Sequence, residues 1–456
     1  MIPARSGSFS VIAFAVLSLS ALIAAAVAAM LAPTGAPPLL LLAVALAALA
    51  GYSNSSRGFA GGLAIVFATV VLLYVYGMVP RQYPVFDVNP TAATWMVLLV
   101  GTFALLLGLL LGSLGASRSP ERRHSVRDAG DSLLFALGLL AVLLSAVNYV
   151  TGDIPLLSGD VNGARINGNY GALGRIWPLI LPVLQVTIIV TLIKWISGTI
   201  RRRWFLLALL ATFCLLLTGS RSLLLMGVVA GAILYIELRR PRLVWILVVA
   251  AAGLVALGAF GSIRTLASGG ADVATAFLTE RNLEGWGGST DLALQTGPRV
   301  AALAIDATNG QPLGGQILLG DIGNFFNSSV ERSDRLVTQL LGRDPDVLGG
   351  LPPTLFGGFF LDFGWVGLVL SSVIFGVALT VSRRLMFRTL SIATTVWFGY
   401  LAAYALVSVY SYVSIRPSWL VVLAVSMAVS LLNSRKEAPG VTNPYGLEVP
   451  TFPRRG

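Results

Sequence analysis

Thr218-Gly219-Ser220-Arg221-Ser222 stands between two apolar runs, Phe205 to Leu217 and Leu223 to Ile236. Two runs that close together make a tight helical hairpin in a membrane, because lipid leaves the backbone only its own helical hydrogen bonds. Arg221 then sits at, or just inside, the bilayer boundary. A charge at that depth is costly and marks a functional site by default. Arginine also offers a planar fork of donors suited to a diphosphate. The alternative is an interfacial arginine that snorkels to the headgroups. The rest of the chain decides between the two.

The chain has 456 residues, 56% of them hydrophobic and only 11% charged, with mean hydropathy +0.83. That composition excludes a soluble domain and indicates a polytopic all-α membrane protein. Apolar runs able to span a bilayer fall at 9–31, 38–52, 59–79, 92–114, 131–150, 176–196, 204–218, 221–237, 243–262, 354–381, 392–412 and 417–433. The sequence therefore predicts about 12 transmembrane helices. The first run is longer than the apolar core of a usual signal peptide and reads as a retained span.

Charge tests this count through the positive-inside rule. With both termini inside, the inner segments hold 20 of the 31 basic residues and 6 of the 20 acidic ones. The inner net charge is then +14 and the outer −3, which add to the +11 of the whole chain. The basic excess faces the anionic inner leaflet, so a pI near 10.2 does not point to nucleic acid, and no nucleic-acid partner is expected. The single cysteine, Cys214, lies within a span and forms no intrachain disulfide; the single histidine, His124, lies in a charged inner loop. Neither suggests a metal site.

Most connections are short. The sequence divides into spans one to nine over 1–262 with an outer loop at 151–175, a large outer loop at 263–353 that reads as a substrate lid, spans ten to twelve over 354–434, and a cytoplasmic tail at 435–456 that reads as disordered. A long ordered loop is uncommon unless functional. Within the large loop, Gly285-Trp286-Gly287-Gly288-Ser289 reads as a glycine-rich turn. Pro298 suits the first position of a short helix that Asn309-Gly310 would end. Ser329 to Leu341 reads as a second, amphipathic helix.

Arg299 would lie in the first turn of that short helix. A cation there opposes the helix dipole, and the arrangement makes sense if helix and arginine share one phosphate. Arg165 and Arg175 flank the polar stretch Ile166-Asn167-Gly168-Asn169-Tyr170-Gly171, and Arg264 follows the ninth span. These are candidate diphosphate ligands, or else solvated or interfacial cations. The outer face lacks histidine, cysteine and any phosphate loop, but has carboxylates. Chemistry there would be arginine-assisted departure of a phosphate leaving group, with a carboxylate as base for a hydroxyl. Asp362 lies in the apolar run Phe359-Phe360-Leu361-Asp362-Phe363-Gly364-Trp365. In hydrocarbon it needs a partner, and an outer arginine is the expected one.

Three stretches, in this order, resemble the Wzy-type O-antigen polymerases, the oligosaccharide repeat-unit polymerases. They are Gly152-Asp153-Ile154-Pro155-Leu156-Leu157, Thr218-Gly219-Ser220-Arg221-Ser222, and Pro352-Pro353-Thr354-Leu355-Phe356-Gly357-Gly358 running on through Asp362 to Gly367. The resemblance covers about 150–380. It implies a GT-C-like fold in the bacterial inner membrane, a lipid-linked oligosaccharide on undecaprenyl diphosphate as substrate, and transfer of the growing glycan to the next lipid-linked unit on the outer face. It implies no metal, no nucleotide sugar and hence no cofactor. It carries Arg221 and Arg299 into the catalytic set, where Arg299 and Gly310 match the family's R-x10-G spacing; Asp362 joins that set from the chain's own residues, as the acidic group near the mouth of the site. Family members often have an acid where this chain has Gly358 and an amide where it has Asp362. The carboxylate would then have moved by one helical turn. Chain-length control would come from a partner protein. The rival functions are an O-antigen ligase, which would need an outer histidine, and a transporter or flippase for lipid-linked glycans, which would show repeated halves.

Overall fold

The computed structural model describes residues 38, 40–45, 48, 62–78, 91–113, 131–158, 161, 164, 171–239, 241–267, 285–327, 329–345, 350–389, 391–411 and 416–436. Over these residues the architecture is helical. The first helices are α1 (Gly62–Met78), α2 (Ala92–Ser113), α3 (Asp131–Thr151), α4 (Trp177–Ile196), α5 (Arg202–Leu217), α6 (Arg221–Arg239) and α7 (Leu243–Ala267). They are followed by α8 (Gly285–Ala307), α9 (Gln316–Phe326), α10 (Ser333–Leu340), α11 (Leu355–Thr389), α12 (Ile392–Tyr410) and α13 (Pro417–Lys436). Seven are long and apolar enough to cross a membrane: α2, α3, α4, α6, α7 as far as Gly261, α11 and α12. Of the twelve runs expected, 9–31 lies outside the described residues and 38–52 is described only in part.

The closest helix pair is α2 against α11. An added methyl on Gly108 would stand 2.2 Å from the Val373 carbonyl oxygen, and one on Gly376 would stand 2.5 Å from the Leu105 carbonyl oxygen. Small residues let two backbones meet where lipid supplies no hydrophobic drive for association. Thr380 Oγ1 adds a hydrogen bond to the Leu109 carbonyl oxygen at 3.2 Å.

Polar contacts sort the helix ends into two sets. Glu237, at the end of α6, pairs with Arg383 of α11 through both carboxylate oxygens, at 2.7 and 2.9 Å, and accepts the Leu63 N–H at 3.2 Å. Asp131 pairs with Lys194 at 2.8 Å and with Arg203 at 3.0 Å. All of these residues belong to ends that the charge rule puts inside. At the opposite ends, Arg416 pairs with Asp321 at 3.2 Å, Tyr76 donates to Asp291 at 2.7 Å, and Thr91 donates to Asp306 at 3.3 Å. None of these contacts joins an inner end to an outer one.

Candidate functional site at the outer helix ends

The hairpin tip is as tight as its sequence requires. α5 ends at Leu217 and α6 begins at Arg221. Gly219 takes φ 64, the left-handed conformation that glycine adopts without steric cost. Its N–H bonds the Leu216 carbonyl at 2.9 Å, while the Ser220 N–H bonds Thr218 Oγ1 at 3.2 Å. Thr218 and Ser220 are buried, and Arg221 is half-buried at the first position of α6. Gln185 of α4 fixes the first turn by donating to the Leu223 carbonyl at 2.8 Å. A cation at this helix end is favoured only when an anion answers it.

Arg299 lies differently from its expected place. The helix does not begin at Pro298; α8 begins at Gly285, so the stretch Gly285 to Ser289 is helical rather than a turn. Pro298 is interior, and Arg299 stands far from the first turn. Proline cannot bond the carbonyl four residues back, which is that of Leu294. That carbonyl and the proline ring both press on Gly77 of α1, where an added methyl would lie 2.8 Å from the oxygen and 2.6 Å from the ring. Tertiary packing thus outweighs the low helix propensity of these residues. The Asn309-Gly310 stop does form, with φ 48 and 75. Arg299 is only 1% exposed, in a buried row with Val300, Ala301, Ala302, Ala304 and Ile305. α8 meets its neighbours at the ends that the charge rule puts outside: Tyr76 and Gly77 of α1, Thr91 before α2, Thr354 before α11, and Val409 and Tyr410 of α12.

Thr354 itself is strained. A β-branched residue at φ 66 is a genuine outlier, costing about 1–3 kcal/mol that its surroundings must supply. The Tyr74 hydroxyl helps by accepting the N–H groups of Leu355 at 3.1 Å and Phe356 at 3.3 Å. The Tyr74 ring stacks on Phe356 with centroids 5.1 Å apart.

Asp362 does not make the expected ion pair. Its carboxylate accepts the backbone N–H groups of Ile317 at 2.8 Å and Leu318 at 2.6 Å, in the first turn of α9. α9 starts after Gly315, which has φ 89 and no side chain to cap with; Asp362 supplies that cap from 45 residues away. The charge is stabilised by the helix terminus instead of by arginine. α11 is broken at Gly364, with φ 65 and ψ −156, which releases carbonyls from the helical ladder. The N–H groups of Leu313 and Gly314 answer the carbonyls of Leu361 and Asp362, at 2.8 and 2.9 Å. Gly358 lies one turn earlier, and an added methyl there would touch the Ile317 side chain at 3.5 Å.

Arg165 lies outside the described residues. Arg175 falls in the 3-10 segment Gly171–Ile176, and Arg264 in α7, which runs on to Ala267 past the expected end of the span. Among the described residues no cluster of three or more histidine, cysteine or carboxylate groups could hold a metal. Tyr74, Thr354 and the capped turn at Ile317 and Leu318 escaped the sequence reading. Only the Pro352-Pro353 pair before Thr354 hinted at an unusual helix start.

Residues 302–415 match the family model described as "Putative O-antigen polymerase". That match supports a Wzy-type O-antigen polymerase assignment. It spans a quarter of the chain, from the end of α8 through α12. The O-antigen polymerase match thus contains Asp362, the break at Gly364 and α9, whereas Arg221 and Arg299 precede it. No curated protein and no solved structure matches the chain.

Proposed function

We propose that this multi-pass protein polymerises lipid-linked oligosaccharide repeat units on the outer face of the bacterial inner membrane. The observation that carries the reading is the O-antigen polymerase match over residues 302–415, which holds the helices around the outer end of α11. The acceptor hydroxyl oxygen bonds the anomeric carbon of the growing glycan, and the bond from that carbon to the diphosphate breaks. Undecaprenyl diphosphate leaves with the electron pair, and the hydroxyl proton passes to the medium. The protein's main task is to hold the diphosphate as negative charge builds on it.

Arg221 is our candidate for that task, since it is half-buried at a helix start. Arg299 is the second, enclosed beneath the outer helix ends, and Arg165, Arg175 and Arg264 are carried as further diphosphate ligands. Asp362 acts by position, with both its oxygens engaged by α9. The wider arrangement in this proposal has twelve spans in a GT-C-like fold, with α1, α5, α13 and the runs at 9–31 and 38–52 completing the seven long helices. The segment 263–353 serves as the lid, and a separate partner sets chain length.

The test is a strain deleted for the gene, with its surface glycan resolved by length. Single repeat units in place of a ladder support a polymerase. Glycan of every length stranded on the lipid carrier would instead identify a ligase.

A further inference from the structure

Helix α9 is apolar on two sides, and among the described residues protein covers only one of them. Its inward side buries Ile317 and Gly320. Its outward side shows Leu319 at 50% and Phe326 at 74% exposure, seven residues apart and so on one arc. Its one charged residue, Asp321, is turned away from that arc, pairing with Arg416 and accepting the Ser333 N–H at 3.2 Å. Of the charges in the neighbouring segment, Asp334 and Arg335 lie in the first turn of α10 and Glu331 and Arg332 just before it, with Glu331 held by Arg335 at 2.8 Å.

The exposed arc adjoins the exposed apolar side of α11. That helix is long and apolar enough to cross a membrane, and beyond its break it exposes Trp365, Val366, Leu370 and Ile374. Phe363, at the top of that strip, lies 3.4 Å from where an added methyl on Gly315 would stand, and Leu319 lies 3.9 Å from the same point. Phe363 and Leu319 thus both border Gly315, and the apolar strip of α11 leads onto α9 there. Along α9 a cleft of about 300 Å³ opens, lined by Leu319, Gly323, Val330 and Leu336, with Gln316 and Glu331 as its polar members.

We propose that α9 is an interfacial helix seated in the outer leaflet, with Leu319 and Phe326 in contact with lipid. An exposed apolar face on a short helix beside a lipid-facing span is accommodated by the acyl boundary of a bilayer. Asp362 then sets the depth of α9 by pinning its first turn to α11. The segment between α7 and α11 is thus partly a membrane-surface element and not wholly a water-exposed loop.

The test uses the full chain with Cys214→Ala, in phosphatidylethanolamine–phosphatidylglycerol vesicles. Spin labels are placed singly at Leu319→Cys, Phe326→Cys and, on α10, Gln339→Cys. Collision with oxygen, which concentrates in lipid, is compared with collision with a water-soluble nickel chelate. The labels at 319 and 326 are expected to relax several-fold more with oxygen than with nickel, and the label at 339 to show the reverse. Nickel access at 326 equal to that at 339 would overturn the proposal. So would a label at 326 that neither reagent reaches, because a protein surface would then cover the arc. Two outward positions keep the result decisive should one variant fold poorly. The readout involves no glycan and so stands apart from the polymerase reading.

Discussion

The carboxylate of Asp362 holds the N–H of Ile317 at 2.8 Å and that of Leu318 at 2.6 Å, so a buried acid in α11 caps a helix that began 46 residues earlier. Charge-assisted bonds of this kind are worth about 1.5–3 kcal/mol each. Asp362→Ala should therefore release the start of α9 while the spans remain folded. Hydrogen exchange at the amides of residues 317 and 318 should speed up by ten-fold or more, about 1.4 kcal/mol per decade, with exchange in α2 and α4 unchanged. Unchanged protection at 317 and 318 would show that the cap contributes nothing.

Gly358 and Asp362 share one face of α11, and both abut Ile317. A carboxylate at 358 can therefore reach the same turn. Gly358→Glu combined with Asp362→Asn should recover protection of α9 and glycan polymerisation relative to Asp362→Ala. Asp362→Asn alone, which keeps one accepting oxygen, should be intermediate. A double variant no better than Asp362→Ala would refute this shared role.

At the inner ends, Glu237 is fully buried against Arg383 and the Leu63 N–H. Removing one partner strands the other charge, at a cost of about 3–5 kcal/mol. Glu237→Ala should lower the thermal midpoint in detergent markedly. Glu237→Leu with Arg383→Met should restore most of it, because an apolar pair of similar volume leaves no stranded charge. Equal losses in the single and double variants would contradict this.

The α2–α11 contact leaves no room at Gly108, where an added methyl meets the Val373 carbonyl oxygen at 2.2 Å. Overpacking costs about 1–3 kcal/mol and more where backbone must move. Gly108→Leu should reduce folded protein in the membrane, whereas Gly253→Leu, at a position with open space, should not. Fluorescence size-exclusion of tagged variants gives the comparison.

The sequence made the local features legible. The hairpin at Thr218 to Ser222, the stop at Asn309-Gly310 and the amphipathic helix α10, which begins at Ser333 rather than at Ser329, follow from residues adjacent in the chain. The misread features depend on distant partners. Gly285 to Ser289 and Pro298 favour turns and helix starts by local propensity, yet α8 includes both; at Pro298 the reason is its packing on Gly77 of α1 and, through Gly297, on α12. α9 contains two interior glycines and has no local cap, so nothing near Gln316 announces it; its cap is Asp362. Charge alone assigns that acid an arginine partner; the structure gives it a helix terminus, which is also cation-like and lies 45 residues away in sequence.

The central claim rests on Arg221 gripping a diphosphate at the tip of the α5–α6 hairpin. In the deletion strain, wild type, Arg221→Lys and Arg221→Ala are expressed to equal membrane levels, and surface glycan is resolved by length. The account predicts a full ladder for wild type, a shortened one for Arg221→Lys, which keeps the charge but loses the fork, and single repeat units for Arg221→Ala. A normal ladder from Arg221→Ala would contradict it, leaving Arg221 an interfacial anchor.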